Sequence, residues 1–230
     1  MKILAVDTSG MTASVALVED DIVIAEYNVN FKKTHSQTLL PMLDEIATMT
    51  ELDKSSIDAI AVAAGPGSFT GLRIGAAGVK GLARALNKPI VAIPTVDGLA
   101  YNLYGSSSLV CPVMDARRGQ TYTGIYEFVK KDDTYSMKCL WEQRAVDIGE
   151  VISELNKMGR EAVFLGDGVP VFKERLDAEL NVAHTYAPAF MNRQRAASIA
   201  GLAVEYADSG KLCQASDFAP IYLRLSQAER

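Results

Sequence analysis

Two aspartates, Asp7 and Asp115, each close a short apolar run and precede a Gly turn, in Val6-Asp7-Thr8-Ser9-Gly10 and in Met114-Asp115-Ala116-Arg117-Arg118-Gly119. A carboxylate at a strand end can coordinate Mg²⁺ or position a water, and two of them, with Thr8, suit a cleft that handles nucleotide. Each is explained equally well as an Asx-turn residue. Gly65-Pro66-Gly67-Ser68-Phe69-Thr70-Gly71 sits between a strand pattern and a helix pattern. A Gly-rich turn there aims unpaired N–H groups and the positive end of the helix dipole at an anion, so Gly65, Gly67, Ser68, Thr70 and Gly71 form a candidate phosphate cradle. Thr70 stands where the third Gly of a dinucleotide fingerprint belongs, and the P-loop Lys is absent. A tight turn capped by Ser68 or Thr70 accounts for the same residues. Gly166-Asp167-Gly168 follows a further apolar run, where a nucleotide base can lie. His35 and His184 belong to no metal spacing, and Cys111, Cys139 and Cys213 fit neither a disulfide framework nor a zinc motif. The cysteines read as buried small hydrophobes, and no metal site is expected.

These residues need strands and helices to hold them. Residues 2–31 read as three strands, with turn signals at Ser9-Gly10 and Glu19-Asp20-Asp21. Thr34 with Gln37 resembles a capping box, and Leu39, Leu40, Met42, Leu43, Ile46 and Ala47 follow at helical spacing. Pro41 should tighten or bend that helix, because it lacks a donor. A buried strand over 57–64, a helix over 71–86 and a strand over 90–93 come next. Beyond the second Asp-Gly turn lie strands over 120–128 and 134–141, a helix over 149–158, a strand over 162–165, and helices over 169–180 and 196–206. The alternation argues for an α/β fold. The repeated apolar run, Asp and Gly turn suggest two related βββαβα halves, 1–105 and 106–230, divided near the Gly-Ser-Ser-Ser of Gly105 to Ser108.

The chain of 230 residues is 49% hydrophobic and 22% charged, near the globular average, which excludes a disordered chain or a disulfide scaffold. Its net charge of −5, with no Lys/Arg block, provides no footprint for nucleic acid, so any RNA is expected to be held by something else. No signal-peptide core and no long apolar stretch is visible, so a cytoplasmic location without membrane association is expected.

The helix over 71–86 carries glycines at 71, 75, 78 and 81, each costing about 1 kcal/mol against Ala in a helix interior. Such a helix gains close approach, either to the helix after Thr34 or to an external partner.

DTS at 7–9, HSQTLLPML at 35–43, AGPGSFTGLRIG at 64–75 and PIYLR at 220–224 closely resemble the bacterial TsaB family, across essentially all 230 residues. The resemblance implies a duplicated actin-like, sugar-kinase-like ATPase fold of the glycoprotease-like superfamily. It also implies a role as the non-catalytic partner of the transferase TsaD in making threonylcarbamoyladenosine beside the tRNA anticodon. The assembly includes the ATPase TsaE, with tRNA reached through the complex. In TsaD two histidines four residues apart bind the metal; aligned from the shared GPG, those positions fall near Thr95 and Leu99. Neither side chain can replace an imidazole.

The family further implies that the helices over 34–49 and 71–86 form the surface for TsaD, or for a second copy when the chain is alone. His35, Leu39, Met42, Leu43, Ile46, Arg73, Ile74, Gly75, Gly78 and Leu82 are its candidate residues. Gly75→Leu is then expected to dissociate the protein without unfolding it. The competing readings are an ATP-dependent kinase or ATPase and a metallopeptidase. The first lacks an obvious catalytic base and a phosphate-binding Lys in its loops, and the second lacks histidines. Weak ATP or ADP binding is the most that the retained loops imply.

Overall fold

A computed structural model describes residues 1–224. The chain forms two compact units, one of Met1–Gly98 with the segment from Gln194 onward, the other Leu99–Arg193.

In the first unit β1 (Lys2–Asp7), β2 (Ala13–Glu19) and β3 (Ile22–Val29) pair antiparallel, while β4 (Ala59–Gly65) and β5 (Ile90–Pro94) run parallel to β1, in the order β3-β2-β1-β4-β5. Helices α1 (His35–Met49) and α2 (Phe69–Leu86) cover one face, where Leu4, Val6, Val15, Leu17, Ile60 and Val62 alternate inward with Leu39, Ile46 and Val79. Their neighbours Ile3, Ala5, Ala16, Ala61 and Ala63 are buried too. There α6 (Ala196–Asp208) packs on β1, β2, β4 and β5, and the small side chains of both partners let it lie close.

The second unit repeats this plan. β6 (Leu109–Asp115), β7 (Gln120–Lys131) and β8 (Thr134–Asp147) pair antiparallel, β9 (Ala162–Leu165) and β10 (His184–Tyr186) run parallel to β6, and the order is β10-β9-β6-β7-β8. Helices α4 (Ile148–Met158) and α5 (Val169–Glu179) pack around Leu109, Cys111, Val113, Phe164 and Leu176. β1–β5 and β6–β10 therefore follow one topology.

To the expected elements the structure adds α3 (Thr95–Tyr101) and β10, which are too short to show a period in the sequence. It also places the division elsewhere: the chain leaves the first unit at Gly98 and returns at Gln194, so 106–230 is not one unit. Periodicity identifies the apolar stripe of α6 but not the sheet that it covers. α1 runs unbroken through Pro41, which is exposed, and α2 starts at Phe69 because Ser68 caps it.

Candidate functional site

In the first unit the Asp7 loop and the Gly65 loop, distant in sequence, interlock. Asp7 is buried at the end of β1, and its Oδ1 accepts the Ser9 N–H at 2.8 Å and the Ser9 hydroxyl at 2.6 Å. This is the Asx-turn arrangement, and burial pushes the carboxyl up to about 6 against the pull of both Ser9 bonds. Ser9 O accepts the Ser68 N–H at 2.7 Å, and a Cβ on Gly67 would lie 2.3 Å from Ser9 O. Thr8 Oγ1 donates to Gly71 O at 2.8 Å. Ser68 caps α2 through its hydroxyl, which accepts the Gly71 N–H at 3.3 Å, and Thr70 is exposed.

Gly65, at φ 115°, adopts a backbone region open to Gly, and its N–H donates to Thr95 Oγ1 at 3.1 Å. Thr95 and Leu99 are both buried. Among the described residues no group of three His, Cys, Asp or Glu side chains is placed to hold a metal ion. The PIYLR motif docks on this same loop: Ile221 N–H donates to Ala64 O at 2.7 Å, and the Tyr222 ring stacks on Phe69 with centroids 4.8 Å apart. Motifs from four parts of the chain thus meet around the start of α2, and most of the candidate cradle serves intrachain contacts.

The second unit carries the counterpart. Asp115 Oδ1 accepts the Arg117 N–H at 2.8 Å, its Oδ2 lies 3.0 Å from Arg117, and its N–H donates to Asp167 Oδ1 at 3.2 Å. Gly166 has φ 115°, like Gly65, and a Cβ there would lie 2.2 Å from Val113 O. Gly168 N–H donates to that same oxygen at 2.9 Å. Burial raises the carboxyl pKa of Asp167. Asp115, Gly166, Asp167 and Gly168 are therefore brought together, in the place that Asp7 and Gly65 hold in the first unit.

The partner-surface candidates divide sharply. Leu39, Met42, Leu43 and Ile46 are buried in the core of their own unit, and so offer no apolar area to a partner as they stand. Gly71 and Gly75 press on Thr8: a Cβ at Gly71 would lie 2.1 Å from Thr8 O, and one at Gly75 2.3 Å from Thr8 Oγ1. The close approach they permit is internal, which corrects the expectation that Gly75→Leu leaves the monomer folded. Gly78 faces Leu39, whereas a Cβ at Gly81 meets nothing within 4 Å. His35, half-buried, bonds Gly10 O through Nε2 at 2.8 Å. Arg73 is exposed, and Ile74 and Leu82 are half-buried. The outer surface consists instead of Ser36, Gln37, Leu40, Pro41, Asp44, Glu45, Thr48 and Met49 on α1, and of Thr70, Arg73, Ala77, Gly81, Arg84 and Ala85 on α2. Leu40 and Met49 were discernible as apolar residues in the sequence, but their outward direction was not.

The polyphosphate/ATP-glucomannokinase of Arthrobacter sp. strain KM matches this structure with a TM-score of 0.51 at 11% identity, over 90% of this chain and 99% of that one. The likeness is one of fold, and with the repeated sheet order it defines the class, a duplicated actin-like, sugar-kinase-like ATPase fold. Residues 26–230 match the family model of TsaD, tRNA N6-adenosine threonylcarbamoyltransferase. The tRNA threonylcarbamoyladenosine biosynthesis protein TsaB of Bacillus subtilis (strain 168) is 34% identical over 232 residues, covering 100% of this chain and 96% of that one. Its namesake from Escherichia coli (strain K12) is 33% identical over 174 residues, 73% of this chain and 72% of that one. YeaZ from Pseudomonas aeruginosa matches with a TM-score of 0.79 at 27% identity, over 96% of this chain and 100% of that one. The chain belongs to the TsaB family.

Proposed function

We propose that this chain works in tRNA threonylcarbamoyladenosine biosynthesis as a non-catalytic subunit, binding and supporting a TsaD transferase through the outer faces of α1 and α2. The family supports the pathway. The observation that carries the mode of action is the surface itself: α1 presents Asp44 and Glu45 beside exposed Leu40 and Met49, while α2 presents Arg73 and Arg84 among Ala77, Gly81 and Ala85. Small residues let a facing helix approach, and the opposed charges fix its direction. The same surface serves self-association when the chain is alone. TsaE and tRNA are reached through the complex, in the cytoplasm; no helix of the described residues is long and apolar enough to cross a membrane.

Leu40 is 62% exposed, so Leu40→Asp should leave the fold intact while placing a charge in the middle of this surface. Capture of a TsaD protein by the purified chain, followed as a titration, is expected to weaken at least tenfold, about 1.4 kcal/mol. Unchanged affinity would move the interface off α1.

The isolated chain is expected to bind ATP weakly or not at all and to turn none over. Ser9 engages Asp7, Lys80 donates to Phe218 O at 3.0 Å, and neither Gly-rich loop carries a Lys or Arg before its helix. Calorimetric titration together with a phosphate-release assay checks this; low-micromolar binding with steady turnover would favour the kinase reading instead.

A further inference from the structure

We propose that the free edge of β3 pairs with the same edge of a second copy of this chain, extending the first sheet across a two-fold axis. An edge strand offers unpaired backbone groups, and folded proteins blunt such edges. Here the other edges are managed. At β5, Ile90 and Cys213 exchange both backbone bonds at 2.9 Å. At β8, the Tyr135 N–H is taken by the Tyr104 hydroxyl at 2.7 Å, and Lys138 and Glu142 are exposed along the strand. β10 has only 3 residues.

β3 is different. Ile22, Val23 and Ile24 are 63%, 51% and 42% exposed, while the core takes the later residues Ala25, Tyr27 and Val29. The ladder explains the exposure: Leu17 pairs with Ala25 and Val18 with Val23, so Ile24 is an extra residue with no partner in β2. A bulge can itself discourage pairing, but here it leaves three consecutive β-branched apolar residues in water, a pattern that sequences avoid unless the surface is used. The one charge within β3, Glu26, does not guard the edge, because its carboxylate turns inward to Arg195 and to the Ala197 N–H. Among the described residues, no backbone hydrogen bond outside the β2 ladder reaches β3.

The occupant follows from the ends of the strand. Glu19, Asp20 and Asp21 precede it; Lys32 and Lys33, all exposed like these acids, follow it beside Phe31 at 66% exposure. Glu19 and Asp20 are already paired in part, with Lys2 and the N-terminal amine. Antiparallel pairing about a two-fold axis sets the acidic end and the Ile22–Ile24 run of one copy beside Phe31, Lys32 and Lys33 of the other, twice over. A self-complementary patch of this kind is what an isologous contact requires.

Sedimentation of the purified full chain over a concentration series tests the contact, both in the parent and with Leu40→Asp silencing the α1 face. In the Leu40→Asp background, where β3 is the remaining contact, Val23→Lys is expected to raise the dissociation constant at least tenfold. Lys32→Glu with Lys33→Glu should also weaken association, and adding Asp21→Lys should restore part of it; these positions are exposed, so the arm survives if Val23→Lys fails to fold. Self-association of the Leu40→Asp protein that persists unchanged when the β3 changes are added would overturn the proposal, as would a Leu40→Asp protein or a parent that stays monomeric throughout.

Discussion

Gly71→Ala is expected to destabilise the protein by about 3 kcal/mol, near the upper end of what overpacking costs, although Ala is the better helix former. A Cβ at this position would lie 2.1 Å from Thr8 O, and the neighbour is backbone at the end of β1, which cannot rotate away. Moving α2 outward would stretch the bond from the Thr8 hydroxyl to Gly71 O and the bond from the Ser68 N–H to Ser9 O. Gly81→Ala, ten residues along the same helix, is the control. Nothing lies within 4 Å of its added Cβ, so only helix propensity acts, and a gain of about 1 kcal/mol is expected. Urea unfolding of both variants measures the contrast. Equal effects of the two changes would mean that α2 is not seated on Thr8 as described.

Asp7→Asn is expected to stabilise the isolated chain at pH 7.5 by up to about 3 kcal/mol. The carboxyl stands at about 6 in the folded chain against its ordinary 3.8, because burial penalises the anion more than the two Ser9 bonds favour it. Between those values the folded chain keeps a proton that the unfolded chain has lost, so stability falls as pH rises through the window and stays reduced above it. The gap corresponds to about 3 kcal/mol at 1.36 kcal/mol per pH unit. Asn keeps an Oδ1 for the Ser9 N–H and hydroxyl and cannot ionise. Thermal unfolding of both proteins between pH 4 and 8 should show the difference growing with pH and nearly vanishing at pH 4. A variant less stable than the parent at pH 7.5 would mean that the Asp7 anion has a favourable partner in the folded chain.

Much of the fold is local and was therefore readable. β1, β2 and β3 announce themselves by apolar runs broken at Ser9-Gly10 and at Glu19-Asp20-Asp21, and α1 by Thr34 with Gln37, whose Oε1 accepts the Thr34 N–H at 3.3 Å. The duplication showed in Asp7 and Asp115 before their Gly turns. That Gly65 and Gly166, each opening a Gly-x-Gly after an apolar strand, are counterparts emerged only from their shared φ of 115°. The candidate surface was half legible: helical spacing singles out Leu39, Met42, Leu43 and Ile46 as one stripe, and stripes of this kind are chosen equally by a core and by a partner.

By itself, the sequence determined the family, the strand and helix alternation, and the absence of a histidine pair at Thr95 and Leu99, because these depend on residue type and near-neighbour spacing. Only the tertiary structure decided that Gly71 and Gly75 serve Thr8, that α6 returns to the first sheet, that PIYLR seats on the Gly65 turn, and that Ile22–Ile24 remain outside every core. The physical reason is the same in each case: burial and close approach depend on which distant segment arrives to fill a space, and one segment's own pattern carries no record of its neighbour.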